Sequence, residues 1–272
     1  MKTRTQTRRM QGGFTLLEAA LVVVIMGMVL GAMMVGRNQS ASKSTASEAV
    51  FMDTAVTALF KYSKRNNRLP CPDVNGDGLE DGESGVCTAG VHSGGIPYLT
   101  LEIPLSSPVG TGLDRQFVYS VFRGSNDAAK DLTLSAERSI PPHVAPNISY
   151  ANKDDFKQAL INANFATSST VDASNLYVTG NDSNSGAANC NTNKVANMAF
   201  VVAFAGQRNA DDAGSDFDGP NLSNSGWNTT TAKWESVKTN TCFAGPGKPI
   251  TAKYDDQIRA VSFIELMGFL AR

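Results

Sequence analysis

With 272 residues, 42% of them hydrophobic and 18% charged, the chain is long enough for one large domain or two small ones and too apolar to be disordered. Of its 24 Lys and Arg, four (Lys2, Arg4, Arg8 and Arg9) fall in residues 1–13, where there is no acid, leaving 20 against all 25 Asp and Glu in the rest. A mildly acidic body lacks the basic face that phosphate backbones need, which argues against nucleic acid as a partner.

From Phe14 to Gly36 the only charge is Glu18. As a helix these residues would extend roughly 34 Å, enough to cross the hydrocarbon core of a bilayer. The basic residues ahead of them predict a cytoplasmic N-terminus, with everything after Arg37 on the far side. An ordinary secretory signal has its small residues after the apolar run, whereas Gly12 and Gly13 precede it here. Gly27 and Gly31 form a GxxxG spacing that suits close helix approach, a spacing that chance also produces in apolar helices.

The stretch GGFTLLEAALVVVIMG, residues 12–27, resembles the N-terminal signal of type IV pilins and type II secretion pseudopilins. The match comprises a short basic leader, Gly13 at its end, the aromatic Phe14 next, then Thr15, Leu16 and Glu18 in register. The resemblance implies cleavage between Gly13 and Phe14 by a prepilin peptidase and N-methylation of Phe14. It also implies an inner-membrane precursor in a bacterium, with its head in the periplasm, that later joins a pilus or pseudopilus. Partners would be other pilin or pseudopilin subunits and the inner-membrane assembly platform. Glu18, costly in an apolar helix at about 2.5–3.5 kcal/mol, would meet the new amino terminus of a neighbouring subunit and set the stagger between them. The implied fold is α+β, a lollipop with a long N-terminal helix packed on an antiparallel sheet.

The expected organisation is a leader at 1–13, an assembly helix at 14–36, its amphipathic continuation at 37–67 and a head at 68–272. Apolar Ala49, Val50, Val56, Leu59, Phe60 and Tyr62 recur mostly at helical spacing, and NNRLPCP ends the helix before Pro70. In the head, turn-bounded apolar runs predict strands at Gln116 to Phe122, Leu176 to Thr179, Asn197 to Ala205 and Gln257 to Ser262. Short helices are expected at Lys153 to Ile161 and Ile264 to Leu270, and surface loops at Ser183 to Asn193 and Asn209 to Asn228. The order of RLPCPDVNGDGLEDG, GGIPYLTLEIPL, LDRQFVYSVF, NMAFVVAFAGQRN and YDDQIRAVSFIEL resembles that of minor pilins and pseudopilins with large heads. Arg115-Gln116 stands where Trp-Gly is common in the third of these.

Cys71, Cys87, Cys190 and Cys242 all follow the apolar segment, and an even number outside the cytoplasm reads as two disulfides. Four cysteines permit three pairings; the local ones, Cys71 with Cys87 and Cys190 with Cys242, are the expectation. Zinc fits poorly, because no CxxC occurs and His92 and His143 lack ligand spacing.

In DVNGDGLED, Asp73, Asn75, Asp77 and Asp81 occupy positions 1, 3, 5 and 9 of a calcium loop, with Gly78 at the sharp turn and the Leu79 carbonyl at position 7. Ser84 replaces the bidentate Glu at position 12, so the choice lies between a non-helical calcium loop pinned by Cys71 and Cys87 and an Asx-rich turn. Asp212, Asp216 and Asp218 are more loosely spaced and read as a solvated loop. Trp227 and Trp234 read either as packing residues or as part of an adhesive surface. Catalytic motifs are lacking: Ser93 has Val91 where a nucleophile elbow needs glycine, and there is no Walker A or GxGxxG sequence, so no enzymatic activity is expected. The functional expectation is a minor pilin or pseudopilin whose head caps, adheres or interacts. The alternative is a membrane-anchored calcium or ligand receptor that does not polymerise.

Overall fold

The structure, a computed structural model, describes residues 20–21, 23–26, 49–83, 86–88, 90–103, 117–124, 127–138, 144–145, 148–149, 151–166, 175–179, 194–206, 210, 217–218, 221, 227–228, 233–234 and 242–272. The chain forms two compact units, Met1–Ser47 and Glu48–Arg272. In the first, residues 20–21 and 23–26 are helical, and Leu21, Val23, Val24, Ile25 and Met26 are each more than half exposed. Among the described residues no helix is long and apolar enough to cross a membrane. The expected span from Phe14 to Gly36 is described only at those six positions, and its continuity across 27–48 lies outside the described residues.

The second unit begins with helix α1, residues 49–66. It buries Phe51, Met52, Ala55, Leu59, Tyr62 and Ser63, a stripe at three- and four-residue spacing. The rotation differs from the sequence expectation, because Val50 is 66% exposed and Phe51 and Met52 face inward in its place. Four consecutive apolar residues, Ala49 to Met52, leave the helical phase open, and contact with the sheet settles it. The helix stops at Asn67, whose φ of 53° is the left-handed conformation that Asn tolerates just past a helix end.

The sheet partners of α1 come from widely separated segments. In chain order the strands are β1 (Gly82–Glu83), β2 (Val86–Cys87), β3 (Ser93–Gly95), β4 (Phe117–Val121), β5 (Val144–Ala145), β6 (Ile148–Ser149), β7 (Tyr177–Thr179), β8 (Lys194–Phe204), β9 (Trp227–Asn228), β10 (Lys233–Trp234), β11 (Cys242–Ala244) and β12 (Gln257–Ser262). The central sheet is antiparallel through β3, β4, β8 and β12. Strand β8 is long enough to take two partners along one edge. Met198 N–H donates to Leu176 O on the β7 side while Ala199 O accepts from Phe122 N on the β4 side, and the pairing shifts register by one residue of β8 in both the β7 and the β12 ladders. Beyond β7 the sheet continues through β11 in parallel, a departure from the purely antiparallel expectation.

Both faces of this sheet are covered, which explains the near-continuous apolar runs in β4 and β8. Phe117, Tyr119, Phe200, Val202 and Phe204 pack on α1; the Phe51 and Phe117 rings lie 4.4 Å apart and those of Phe60 and Phe200 5.8 Å. The alternate residues Val118, Val201, Ala203 and Ile258 pack on Phe217, Phe243 and Tyr254 on the other face.

Helices α2 (Lys153–Phe165) and α3 (Phe263–Ala271) contact each other and contribute Phe156, Leu160, Leu266 and Leu270 to the α1 side of the core. The first starts at the expected residue and the second one residue before it, both for local reasons. Asn152 caps α2, accepting from Asp154 N and Asp155 N, while the Asp155 carboxylate accepts from Asn152 N. Ser262 caps α3 by accepting from Glu265 N. Replacing Asn152 by Ala is expected to lower stability by about 1 kcal/mol, read as a lower urea midpoint at unchanged slope.

Candidate functional site

Residues 71–87 form a loop closed at its base by the Cys71–Cys87 disulfide, with Cα atoms 5.4 Å apart, and the β1–β2 ladder lies within its C-terminal half. Cys242 is disulfide-bonded as well; Cys190, its expected partner, lies outside the described residues.

Inside the first loop Asp73, Asp77 and Asp81 are each committed to nearby N–H groups. Asp73, 2% exposed, accepts from Gly76 N at 2.6 Å and Gly78 N at 2.8 Å. Asp81 accepts from Val74 N and Asn75 N, and Asp77 accepts from Leu79 N at 2.8 Å. Asn75 Nδ2 donates to Asp77 and Asp81 at 3.1 and 3.2 Å. Gly78 takes the turn predicted for it, with φ at 84°, and a Cβ there would stand 2.5 Å from the Tyr98 ring, so this position needs glycine. Burial pushes the Asp73 carboxyl up to about 6 against the pull of the Gly78 and Gly76 N–H groups, with Asp77 and Asp81 adding to the rise.

Glu80 ties this loop to α1. Its carboxylate accepts two hydrogen bonds from the Arg68 guanidinium at 2.7 Å, one from Tyr62 Oη at 2.9 Å and one from Cys71 N at 3.0 Å. On the neighbouring face of α1 a groove of about 620 Å³ is lined by Asp53, Thr57, Lys61, Leu101 and others, and the Arg65–Glu102 ion pair at 3.0 Å belongs to its wall.

A second acidic site was not anticipated. Asp255 and Asp256, at the head of β12, meet Asp218; their ligand atoms lie within 4.8 Å of one another, and all three residues are buried. Among the described residues this is the one group of three or more acidic, His or Cys side chains so placed; Asp73, Asp77 and Asp81 do not form one. This corrects the expectation for Asp218, which is fully buried rather than solvated, as are its neighbours Phe217 and Asn221. Asp212 and Asp216 lie outside the described residues.

Backbone and amide donors hold the cluster. Asp218 accepts from Ala210 N at 2.7 Å and Asp255 N at 2.8 Å, and Asp256 accepts from Asp218 N and, at 2.7 Å, from Asn221 Nδ2. Asn221 is itself fixed by Ala244 N at 2.8 Å, which links the cluster to β11. Gly206, at the end of β8 with φ at 74°, makes room: a Cβ there would lie 2.3 Å from Asp255 Oδ1. Burial pushes Asp256 up to about 8, opposed by the Asn221 amide and reinforced by the charges of Asp218 and Asp255. Three hard carboxylates at this spacing could hold a metal ion.

The remaining predicted residues are placed as follows. Gly13, Phe14 and Glu18 lie outside the described residues. Trp227 and Trp234 are directly opposed in the β9–β10 ladder, so the expected loop from Asn209 to Asn228 ends in a strand. Ser93 is buried and hydrogen-bonded to Ser120 across β3 and β4. The signal for the second site was present only as two adjacent acids in YDDQIRAV, a pattern common on solvated surfaces. Comparison with known proteins gives no relative to set beside this geometry: no family model, no curated protein and no solved structure matches the chain.

Proposed function

We propose that this chain is a pilin-like structural subunit, a minor pilin or pseudopilin of a type IV pilus or type II secretion pseudopilus. Its leader, residues 1–13, is removed between Gly13 and Phe14 by a prepilin peptidase and Phe14 is methylated. Before assembly the segment 14–36 sits in the inner membrane with the head in the periplasm; after assembly it packs among the stems of neighbouring subunits. The observation that carries this reading is the in-register sequence Gly13, Phe14, Thr15, Leu16 and Glu18 at the start of an apolar run. An amphipathic helix laid along an antiparallel sheet, α1 on β4 and β8, is the head architecture such a subunit needs.

Peptide and intact mass spectrometry of the chain from its native host tests it. A mature terminus at methylated Phe14 is expected, and a chain still starting at Met1 would overturn the reading. Glu18→Ala should leave cleavage intact and cut incorporation into filaments by about tenfold or more, because the partner charge of the new terminus is lost.

The second reading, a membrane-anchored calcium or ligand receptor that never polymerises, is favoured by the buried Asp218, Asp255 and Asp256 cluster. It predicts full function in Glu18→Ala. All-oxygen donors favour calcium, which the cluster could take as it stands, and the loop of Asp73, Asn75, Asp77, Leu79 and Asp81 only if its aspartates give up their N–H partners. Calcium at a hundred times its dissociation constant should raise stability by about 2.7 kcal/mol, measured as a higher melting temperature than in chelator. Asp256→Asn abolishes that rise if the cluster is the site, and Asp77→Asn abolishes it if the loop is.

A further inference from the structure

Asn75-Gly76 is the single Asn-Gly dipeptide in the chain, and Asn75 is exposed. This pairing has its own chemistry. Because glycine has no Cβ, the backbone nitrogen of residue 76 can swing onto the Asn75 side-chain carbonyl carbon. The attacking nitrogen gives up its proton, a bond forms between it and Cγ, and the Cγ–Nδ2 bond breaks as ammonia leaves with a proton. Water then opens the resulting cyclic imide at either carbonyl, yielding Asp or isoAsp at position 75.

In the folded loop both reacting groups are held away from that path. The Gly76 N–H is donated to Asp73 Oδ1 at 2.6 Å, so the nucleophile keeps its proton. The Asn75 amide is turned toward residue 77: its Oδ1 accepts from Asp77 N at 2.9 Å, and its Nδ2 donates to Asp77 and Asp81.

We propose that Asn75 is a deamidation site that the native loop holds closed, and that loss of the hydrogen bonds to Asp73 and Asp77 opens it to irreversible conversion. Irreversibility follows from the product. Replacing Nδ2 by oxygen sets a further carboxylate against Asp77 and Asp81 where a donor stood, and isoAsp adds a methylene to the backbone. The loop then has no route back to its original hydrogen bonds.

The test follows conversion at Asn75 by peptide mass spectrometry during incubation of the full chain in detergent at mildly alkaline pH, with Asn75→Asp as the product standard. The chain unfolded in urea with reductant should convert, and the native chain should convert at least about tenfold more slowly. Asp73→Ala, folded by near-UV circular dichroism, should convert faster than the native chain. Should that variant fail to fold, Asp77→Ala, which removes an exposed acceptor, takes its place with the same expectation. Absence of product at Asn75 in the unfolded chain overturns the site. Equal rates in the native and unfolded chains, or in the native chain and the folded variant, overturn the protection.

Discussion

Replacing Arg123 by Met is expected to lower the unfolding free energy by about 3–5 kcal/mol, a large fraction of the total stability of a typical domain. The guanidinium, 3% exposed just past the end of β4, reaches in two directions. It pairs with Asp131, also buried, at 3.2 Å, and donates to the carbonyls of Thr88 at 2.7 Å, Val91 at 2.9 Å and Cys87 at 3.4 Å. Without it Asp131 keeps, among the described residues, the support of Thr133 alone, and three carbonyls beside the disulfide lose their charged donor. Urea titration should show a lower midpoint at unchanged slope, and adding Asp131→Asn should recover part of the loss by removing the stranded charge. A loss below about 1 kcal/mol would mean that water replaces the guanidinium, and would remove Arg123 as the link between the sheet and the disulfide loop.

The second large effect is expected from Glu80→Gln, about 2–3 kcal/mol, because the neutral amide cannot accept the bidentate Arg68 pair and the Tyr62 and Cys71 donors together. Its pH dependence distinguishes it from a packing defect. Burial by itself would raise the Glu80 carboxyl, but the hydrogen bonds from Arg68 and Cys71 and the Arg68 charge outweigh it and hold the group below its ordinary 4.5. A depressed carboxylate contributes stability that is present above 4.5 and lost as pH falls through the lower folded value. The difference between wild type and Glu80→Gln should therefore be constant from neutral pH down to the ordinary Glu range and shrink below it. A difference that stays constant into acid would show that the loss arises from packing and not from the carboxylate charge.

How much of this was legible in the sequence varies with the range of the interaction. Strands β4, β7, β8 and β12 and helices α2 and α3 were readable to within a few residues, because each is an apolar run bounded by turn or capping residues, such as Asn152 and Ser262. The sharp turn at Gly78 and the Cys71–Cys87 bridge were readable too, since both depend on spacing along a short stretch. The two-residue strands of the minor ladders were not, because so few residues carry no period.

By itself, then, the sequence determined the local features: an apolar N-terminal segment with one carboxylate, an amphipathic helix, the strand and helix positions of the head, and a disulfide-closed acidic loop. The tertiary structure decided the rest. It chose which residues of the Val50, Phe51, Met52 run turn inward, because helical phase depends on the sheet face that receives the side chains. It set β11 parallel to β7, a pairing that no local pattern encodes. It also gathered Asp218, which reads from the sequence as a solvated acid, with Asp255 and Asp256 nearly forty positions away. Burial and proximity are properties of the packed chain, and those are what turn three ordinary aspartates into a site that could hold a metal ion.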